Sequence, residues 1–222
     1  CCHGYLFNEF LSAFEREGRY GGSLENRAKL YLDCIDSVKN AVGNEVFVTT
    51  RLNACDCFPY PYGYGVNAEN EIDLTETKII INELKKRGVE LIPHFNRPCI
   101  NAPEDGKIGM KRIYNVTKEI KAAFPDIRFI MSGLSFEGEN ALEYAAHAIE
   151  NGVTDFAGFG RMTFAYPDFY RDYLKNGKLD KNKVCLKCSK CTELMRNSSV
   201  AGCPVRDAET YMPYYRRDVL KK

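Results

Sequence analysis

The sequence predicts an α/β protein that forms part of a (β/α)8 barrel, and three observations lead to this fold class. Strand and helix signals alternate along the chain through four units. The predicted strands are continuous apolar runs, which is typical of a parallel sheet covered on both faces. Residues with chemical functions follow these strands at their carboxyl ends, where barrel enzymes place their sites. An open doubly wound sheet is the alternative, but no G-x-G-x-x-G motif follows any strand.

The first two units have clear helix boundaries. A helix begins at Ser23, carries apolar residues at steps of three and four, and ends at Gly43. The β-branched run 46–52 then predicts a strand. After a long loop, the sequence D-L-T-E at 73–76 resembles a capping box and opens a helix that runs to Gly88.

The remaining units repeat the same order. Three further apolar runs predict strands and two amphipathic runs predict helices, and these are strands 89–92, 127–131 and 154–159 with helices 111–124 and 137–150. Four units make half of an eight-unit barrel. We therefore expect a partner half to complete the fold.

Composition limits the classes of function and the compartment. The 222 residues suffice for one sizeable core and are few for two. The net charge of +1 gives no strong field towards nucleic acid or a membrane surface. No apolar run approaches the roughly 18 residues that span a bilayer. Ten cysteines without a signal peptide predict a reducing, cytoplasmic location, and we expect the chain to be cut from inside a longer protein.

Four cysteines near the C-terminus have the spacing of a metal site. The sequence C-x2-C-x2-C-x11-C-P is formed by Cys185, Cys188, Cys191 and Cys203. Three thiolates from one turn and a fourth from the returning chain can surround one metal centre, and the pattern suits a 4Fe–4S cluster. Structural zinc is the main alternative, because ligand type alone does not separate the two metals. Four buried or disulfide-bonded cysteines are a weaker alternative.

Two motifs near the N-terminus resemble the Old Yellow Enzyme family of FMN-dependent ene-reductases. They are H-G-Y-L at 3–6 and R-Y-G-G-S-L-E-N-R at 19–27. The four C-terminal cysteines narrow the resemblance to the iron–sulfur branch, which includes 2,4-dienoyl-CoA reductase and trimethylamine dehydrogenase. The resemblance implies barrel strands five to eight over 1–176 and a cluster segment over 177–222. Strands one to four would then come from a missing N-terminal half or from a second copy of the chain.

The resemblance implies catalytic roles for three residues. Tyr5 matches the proton donor of the family, a phenol that protonates the α-carbon after hydride has reached the β-carbon. His3 matches one of two donors that stabilise negative charge on the substrate oxygen, and the other would lie three residues earlier, ahead of residue 1. His94 resembles a substrate-side histidine of the dienoyl-CoA reductases, with a packing role as the alternative.

The resemblance also implies residues that bind FMN. Arg51 matches an arginine beside flavin N1 and the C2 carbonyl, where a positive charge stabilises the reduced ring. The phosphate contacts are expected from two dipeptides, Ser132-Gly133 and Gly160-Arg161. Glycine lets backbone N–H groups approach a phosphate, and arginine adds a bidentate contact. Many relatives have a second glycine where this chain has Leu134.

These assignments predict an FMN-dependent oxidoreductase that reduces an activated C=C bond, in an alkene or enoyl-thioester substrate, with electrons from NAD(P)H. The alternatives are an amine dehydrogenase on the same scaffold and an inactive truncated half-barrel that dimerises. Tyrosines in the loop 58–64 suit an amine cation, although the chain has no Trp. The same loop is either a lid or a surface loop, and Cys55 and Cys57 are interpreted as ordinary thiols.

Overall fold

A computed structural model of the chain describes residues 1, 5–94 and 106–221. Within these ranges the chain forms helices and three short strands, which in chain order are α1 (Leu6–Leu11), α2 (Leu24–Val42), α3 (Thr75–Lys86), β1 (Leu91–His94), α4 (Gly106–Ala123), β2 (Arg128–Met131), α5 (Ala141–Glu150), β3 (Phe156–Ala157), α6 (Arg161–Ala165), α7 (Phe169–Asn176), α8 (Lys190–Arg196) and α9 (Ala208–Tyr214). A 3-10 segment, Leu134–Asn140, precedes α5, and a π-helical turn, Tyr215–Val219, follows α9.

The described residues divide into two compact units. The first contains Cys1–Ser132 and Ala148–Ala157, and the second contains Gly133–His147 and Gly158–Lys222. The chain therefore passes from the first unit to the second at the end of β2 and again after β3.

The strands form one parallel sheet in the first unit, in the order β1, β2, β3. Leu91 pairs with Arg128, and Ile130 pairs with Phe156. β3 is much shorter than the predicted run 154–159. Before it, the side chain of Thr154 and not its backbone makes the hydrogen bonds to β2. The Thr154 hydroxyl donates to the Phe129 carbonyl at 2.9 Å and accepts from the Met131 N–H at 3.1 Å.

The predicted strand 46–52 was wrong: this segment forms no regular strand, and within it only Leu52 forms a bridge. Val46 and Phe47 are more than half exposed. The Thr49 hydroxyl donates to the Leu91 carbonyl at 2.6 Å, so a side chain makes the contact with β1 that a backbone N–H makes in a regular ladder. The segment therefore runs beside β1 without regular strand pairing.

The helix boundaries agree well with local signals. The Ser23 hydroxyl caps α2 by accepting from the Asn26 N–H, and Gly43 ends it with φ 57°. The Asp73 carboxylate accepts from the Thr75 N–H at 2.9 Å at the start of α3, one residue earlier than a capping box requires. The predicted helix 137–150 is interrupted at Gly138, whose φ of 60° and ψ of −121° form a kink inside the 3-10 segment ahead of α5.

A buried arginine joins the helices of the first unit. Arg27 on α2 is 2% exposed, and its guanidinium forms a two-bond ion pair with Glu76 on α3. Its Nε donates to the Gly22 carbonyl at 2.8 Å, and its Cζ lies 4.0 Å from the centre of the Phe14 ring. A buried guanidinium needs such partners, because an unpaired one would lose its hydration without compensation.

A carboxylate joins α4 to the sheet. Asp155 accepts from Lys121 at 2.9 Å, from Arg128 at 3.0 Å and from the Phe129 N–H at 2.9 Å. Burial by itself would raise the pKa of Asp155, but hydrogen bonds from Lys121, the Phe129 N–H and Arg128 outweigh it and hold the pKa below its ordinary value. Lys121 also donates to the carbonyls of Pro125 and Ile127.

The second unit has its own hydrophobic cluster. Its buried members include Met162 and Phe169 together with Leu179, Cys185 and Cys203. The cysteine segment therefore packs on α6 and α7. The predicted division between 1–176 and 177–222 is not tested by this packing and stays a prediction. In the described ranges, no helix is both long and apolar enough to cross a membrane.

Candidate functional site

The segment before α1 lies against the turn that follows Arg51. The Asn53 N–H donates to the Cys1 carbonyl at 2.8 Å. Tyr5 occupies the N-cap position of α1, and its side chain is 70% exposed. Arg51 is exposed, whereas the next residue, Leu52, is fully buried. The predicted proton donor and the predicted flavin-facing arginine therefore lie on neighbouring segments of the first unit.

A buried carboxylate, Asp56, fixes these two segments together. Its Oδ2 accepts from the Asn8 side chain at 2.9 Å, from the Ser12 hydroxyl at 3.2 Å and from the Tyr64 N–H at 3.3 Å. Its Oδ1 accepts from the Asn53 side-chain amide. Several donors are needed to keep a carboxylate in the core. Sequence reasoning missed this network, because nothing local connects α1 with a residue so far along the chain.

Of the two predicted histidines, the structure describes only the backbone of His94. His3 lies outside the described residues, as do 95–105. His94 is the last residue of β1, where its backbone pairs with Met131, and its side chain is not described. Their catalytic roles therefore stay predictions.

The aromatic residues of the loop 58–64 are divided between surface and core. Tyr60 and Tyr62 are 45% and 74% exposed. Tyr64 is fully buried in the first unit, and burial raises its pKa above the ordinary value. The Tyr60 ring lies 5.5 Å from the Phe14 ring, between centroids. Tyr64 is a core residue, so it cannot belong to a lid over a substrate.

The second unit brings together two of the predicted phosphate loops. Ser135, which is buried in the 3-10 segment after Gly133, accepts from the Met162 N–H at the start of α6 at 3.2 Å. The Arg161 guanidinium carbon lies 4.9 Å from the centre of the Phe136 ring. Ser135 and Phe136 thus fix the segment after Gly160, and sequence reasoning identified neither.

The backbone of both loops suits a close ligand. Gly133 has a left-handed conformation with φ 92°, which glycine adopts without strain. No atom lies within 4 Å of the position that a Cβ at Gly160 would occupy. Leu134 is buried and not part of an open loop. Ser132 directly follows β2 and belongs to the first unit.

Three of the four C-terminal cysteines are buried. They are Cys185, Cys191 and Cys203, whereas Cys188 is exposed. The Lys187 N–H donates to Cys185 Sγ at 3.4 Å, and the Arg206 N–H donates to Cys203 Sγ at 3.3 Å. In the part of the chain that the structure describes, no group of three or more His, Cys, Asp or Glu side chains is arranged to hold a metal ion.

The cysteine segment contacts the loop after β2. The Lys187 ammonium donates to the Phe136 carbonyl at 3.2 Å. Burial raises the pKa of the Cys191 thiol, and the nearby Cys185 thiol adds to this, while hydrogen bonds from Thr192 and the charge of Arg161 oppose it. Phe136 is therefore in contact with both the predicted phosphate arginine and the predicted metal segment.

Comparison with known proteins decides the family. The family model described as "NADH:flavin oxidoreductase / NADH oxidase family" matches residues 1–180. The chain belongs to the NADH:flavin oxidoreductase family. The predicted relation to Old Yellow Enzyme is confirmed at this level, whereas the iron–sulfur branch stays a prediction.

Two curated members of the NADH:flavin oxidoreductase family illustrate the similarity. An NADH oxidase of Thermoanaerobacter brockii is 29% identical over 194 residues, which cover 84% of this chain and 27% of that protein. A probable flavin mononucleotide-dependent alkene reductase of Leishmania infantum is 28% identical over 181 residues, which cover 81% of this chain and 43% of that protein. The chain thus spans less than half the length of these relatives.

Solved structures share the fold. An old yellow enzyme homologue from Zymomonas mobilis superimposes with a TM-score of 0.52 and 21% identity, over 80% of this chain and 45% of that one. The 6-hydroxypseudooxynicotine amine oxidase from Pseudomonas geniculata N1 gives a TM-score of 0.60 with 20% identity, over 89% and 28%. The small parallel sheet with helical crossovers is what part of a barrel requires.

Proposed function

We propose that this chain is part of an FMN-dependent oxidoreductase that reduces an activated C=C bond with electrons from NAD(P)H. The observation that carries the proposal is the family match over 1–180, combined with the contact between the segment of Tyr5 and the turn after Arg51. The similarity to an alkene reductase supports this reaction class. A small alkene or enoyl thioester is the proposed substrate.

The residues of the second unit fit the phosphate end of FMN. Gly160 has open space on its Cα, Gly133 has a left-handed backbone, and the Arg161 guanidinium lies over the Phe136 ring. Backbone N–H groups and an arginine are the usual partners of a phosphate. We infer that Gly133, Gly160 and Arg161 of the second unit would contribute phosphate contacts, and that Ser132 and Arg51 of the first unit would contribute to FMN binding as the resemblance implies.

When bound, FMN would supply the hydride that reaches the β-carbon of the substrate. Tyr5 would donate its phenol proton to the α-carbon, for which its exposed position leaves access. His3 would donate a hydrogen bond to the substrate carbonyl oxygen, where negative charge develops. His94 is proposed to line the substrate side. The Asp56 network would keep the Tyr5 segment and the Arg51 segment in register during the reaction.

The test of this proposal uses the full-length protein that contains this chain and measures flavin reduction and flavin oxidation separately. Tyr5→Phe should slow the oxidation of reduced flavin by an enone, and flavin reduction by NAD(P)H should stay near normal. Tyr170→Phe is the matched control, because Tyr170 is also more than half exposed but lies on α7. Equal losses in both half-reactions would reject Tyr5 as the proton donor.

A second measurement tests the phosphate site directly. Arg161→Gln should weaken FMN binding, measured by fluorescence of the released flavin, whereas Arg196→Gln on the exposed side of α8 should not. A loss of one bidentate charged contact is worth about 1.5–3 kcal/mol, or more than tenfold in affinity. Unchanged binding in the Arg161 variant would reject this site.

We further propose that Cys185, Cys188, Cys191 and Cys203 bind a 4Fe–4S cluster, with zinc as the alternative. The thiol donor set suits either metal, and the backbone N–H groups of Lys187 and Arg206 already donate to two of the sulfurs. Among the described residues, no three or more of the His, Cys, Asp and Glu side chains are arranged to hold a metal ion, so binding requires these thiols to move. Metal analysis of anaerobically purified protein distinguishes iron with sulfide, zinc and no metal.

The rest of the barrel is proposed to come from outside the 222 residues or from a second copy of the chain. The support is that the chain spans less than half of its relatives. Size-exclusion chromatography and flavin absorbance of the isolated chain test this. A dimer that retains FMN would favour the second copy, and a monomer without FMN would favour a separate half.

Amine oxidation is the second candidate function. The structural likeness to an amine oxidase and the exposed rings of Tyr60 and Tyr62 favour it. Stopped-flow reduction of the flavin decides between the two reactions. Reduction by trimethylamine and not by NADH would replace the ene-reductase proposal.

A further inference from the structure

We propose that Cys55 and Cys57 form a reversible dithiol–disulfide pair, which is a redox modification site in the turn after Arg51. Their sulfur atoms lie 3.4 Å apart, which is close to van der Waals contact. A disulfide bond is about 2.05 Å long, so the sulfurs are not bonded but need to approach by little more than an ångström. Cys55 is fully buried and Cys57 is partly exposed.

The backbone of the turn holds the two side chains on the same side. Cys57 has a positive φ of 54°, a conformation that is uncommon for residues other than glycine. In this conformation its N–H donates to Cys55 Sγ at 3.3 Å. This hydrogen bond keeps the Cys55 sulfur beside the backbone of Cys57, so the two thiols lie next to each other before any oxidation.

The residues around the pair fix the turn on both sides. The Asp56 N–H donates to the Tyr64 carbonyl at 2.8 Å, and the Asp56 side chain is held by Asn8. Gly65 lies so close that an added Cβ would come within 2.3 Å of the Ala54 carbonyl oxygen and 2.8 Å of Cys55 Cα. The sulfurs are therefore held together before oxidation, so that little chain entropy is lost when the bond forms.

The same surroundings argue against a metal site at this pair. Zinc in a structural site takes four ligands, and iron–sulfur clusters are likewise held by several cysteines. The carboxylate between the two cysteines, Asp56, already accepts from Asn8, Ser12 and Asn53. No third metal ligand accompanies the two thiols in the described ranges. Two thiols alone favour oxidation chemistry over metal binding.

The reaction is exchange with a low-molecular-weight disulfide such as glutathione disulfide. The Cys57 thiolate, which is the accessible one, attacks one sulfur of the disulfide, forms a mixed disulfide and releases one glutathione thiolate. The Cys55 thiolate then attacks Cys57 Sγ and releases the second glutathione. The two protein thiols lose two electrons and two protons in total, and one glutathione disulfide becomes two glutathione thiols. A dithiol reductant reverses both steps.

The experiment uses the full chain, glutathione disulfide as the oxidant and peptide mass spectrometry. Trypsin cleaves after Arg51 and Lys78, so both cysteines fall in one peptide, 52–78, that contains no other cysteine. The native protein is treated with the oxidant, then unfolded in urea so that the buried Cys55 is accessible, labelled with iodoacetamide and digested. We expect this peptide to lose the mass of two hydrogen atoms and to escape labelling, and dithiothreitol to restore labelling of both residues.

Two single variants separate an internal disulfide from independent oxidation. In Cys55→Ser, the accessible Cys57 should retain one glutathione, because no second thiol releases it. In Cys57→Ser, the buried Cys55 should stay reduced. Cys34, which lies alone in the peptide 30–39, is the internal control and should never show the loss of two hydrogens. Glutathione on either cysteine of the wild-type peptide, or full iodoacetamide labelling after oxidation, would overturn the proposal, and neither outcome depends on a variant that must fold.

Discussion

The side-chain amide of Asn8 donates a 2.9 Å hydrogen bond to the carboxylate of Asp56, which lies 48 residues further along the chain. Asn8 is on the first helix after Tyr5, and Asp56 is on the turn after Arg51. Both side chains are buried. This one contact therefore connects the two segments for which we propose roles in proton donation and flavin binding.

Replacing Asp56 should destabilise the first unit markedly. Asp56→Asn keeps the shape of the side chain but turns one acceptor into a donor that faces other donors. We expect a loss of about 2–3 kcal/mol in the free energy of unfolding, measured by urea denaturation. The control is Asp126→Asn, because Asp126 is largely exposed and pairs with Lys85 on the surface, so it should cost less than about 1 kcal/mol. Similar losses in both variants would contradict the importance of the Asp56 network.

The ion pair between Arg27 and Glu76 should contribute more than a surface pair. Glu76→Gln leaves a buried guanidinium without its counter-charge, and we expect a loss of about 2 kcal/mol. Glu119→Gln removes the partner of Lys78 from an exposed pair, and its expected cost is below about 1 kcal/mol. Equal shifts of the urea midpoint in Glu76→Gln and Glu119→Gln would show that the buried Arg27 charge is stabilised by groups other than Glu76.

Two glycines with similar backbone angles should respond differently to alanine. Gly65 has φ 77° and Gly152 has φ 66°. At Gly152 an added Cβ meets no atom within 4 Å. Only the left-handed backbone of an alanine there lowers the free energy of unfolding, by about 1–2 kcal/mol. At Gly65 the Cβ would also overlap the Ala54 carbonyl, and we expect a further loss of about 1–3 kcal/mol. Thermal unfolding of the two alanine variants measures the difference, and equal melting temperatures would contradict it.

Alkaline unfolding should depend on Tyr215. Its hydroxyl donates to Glu193, and this hydrogen bond together with burial raises the pKa of Tyr215 from 10.0 to about 12. Below pH 10 the phenol keeps its proton in both the folded and the unfolded chain, so the hydrogen bond to Glu193 contributes its full stabilisation. Between pH 10 and 12 the unfolded chain loses the phenol proton while the folded chain keeps it, so stability falls as the pH rises.

The measurement compares urea midpoints of Tyr215→Phe and the wild type across this pH range. The variant should be less stable below pH 10 and should lose stability less steeply above it. Tyr170→Phe on α7 is exposed and should follow the wild type. Parallel curves for all three proteins would show that Tyr215 does not keep its proton in the folded state.

Local signals were sufficient for the parts of the fold that depend on neighbouring residues. Ser23 and Gly43 predicted the ends of α2, because a cap and a left-handed glycine act within one turn of the helix. Gly160 and Arg161 lie at the N-cap and the first residue of α6, and their role at a phosphate stays a prediction. The parallel pairing of the strands followed from the alternation of helices and strands.

The remaining features depend on contacts between distant residues. The β-branched run 46–52 has strand propensity. In the structure, however, the Thr49 hydroxyl bonds to β1, and no local sequence pattern predicts this contact. Tyr64 has the same sequence context as Tyr60 and Tyr62 and yet is buried. The partners of Asp56 and the contact of Ser135 with Met162 join separate elements, so only the folded chain identifies them.

The lysine that joins α4 to the sheet has a consequence for evolution by insertion and deletion. The Lys121 ammonium donates to the carbonyls of Pro125 and Ile127 and to the Asp155 carboxylate. These three hydrogen bonds together require a fixed length for the connection between α4 and β2. Adding or removing one residue there would pull the ammonium away from Asp155. Natural variants of this protein should therefore keep the length of 122–127 constant while they vary the identities of its exposed residues.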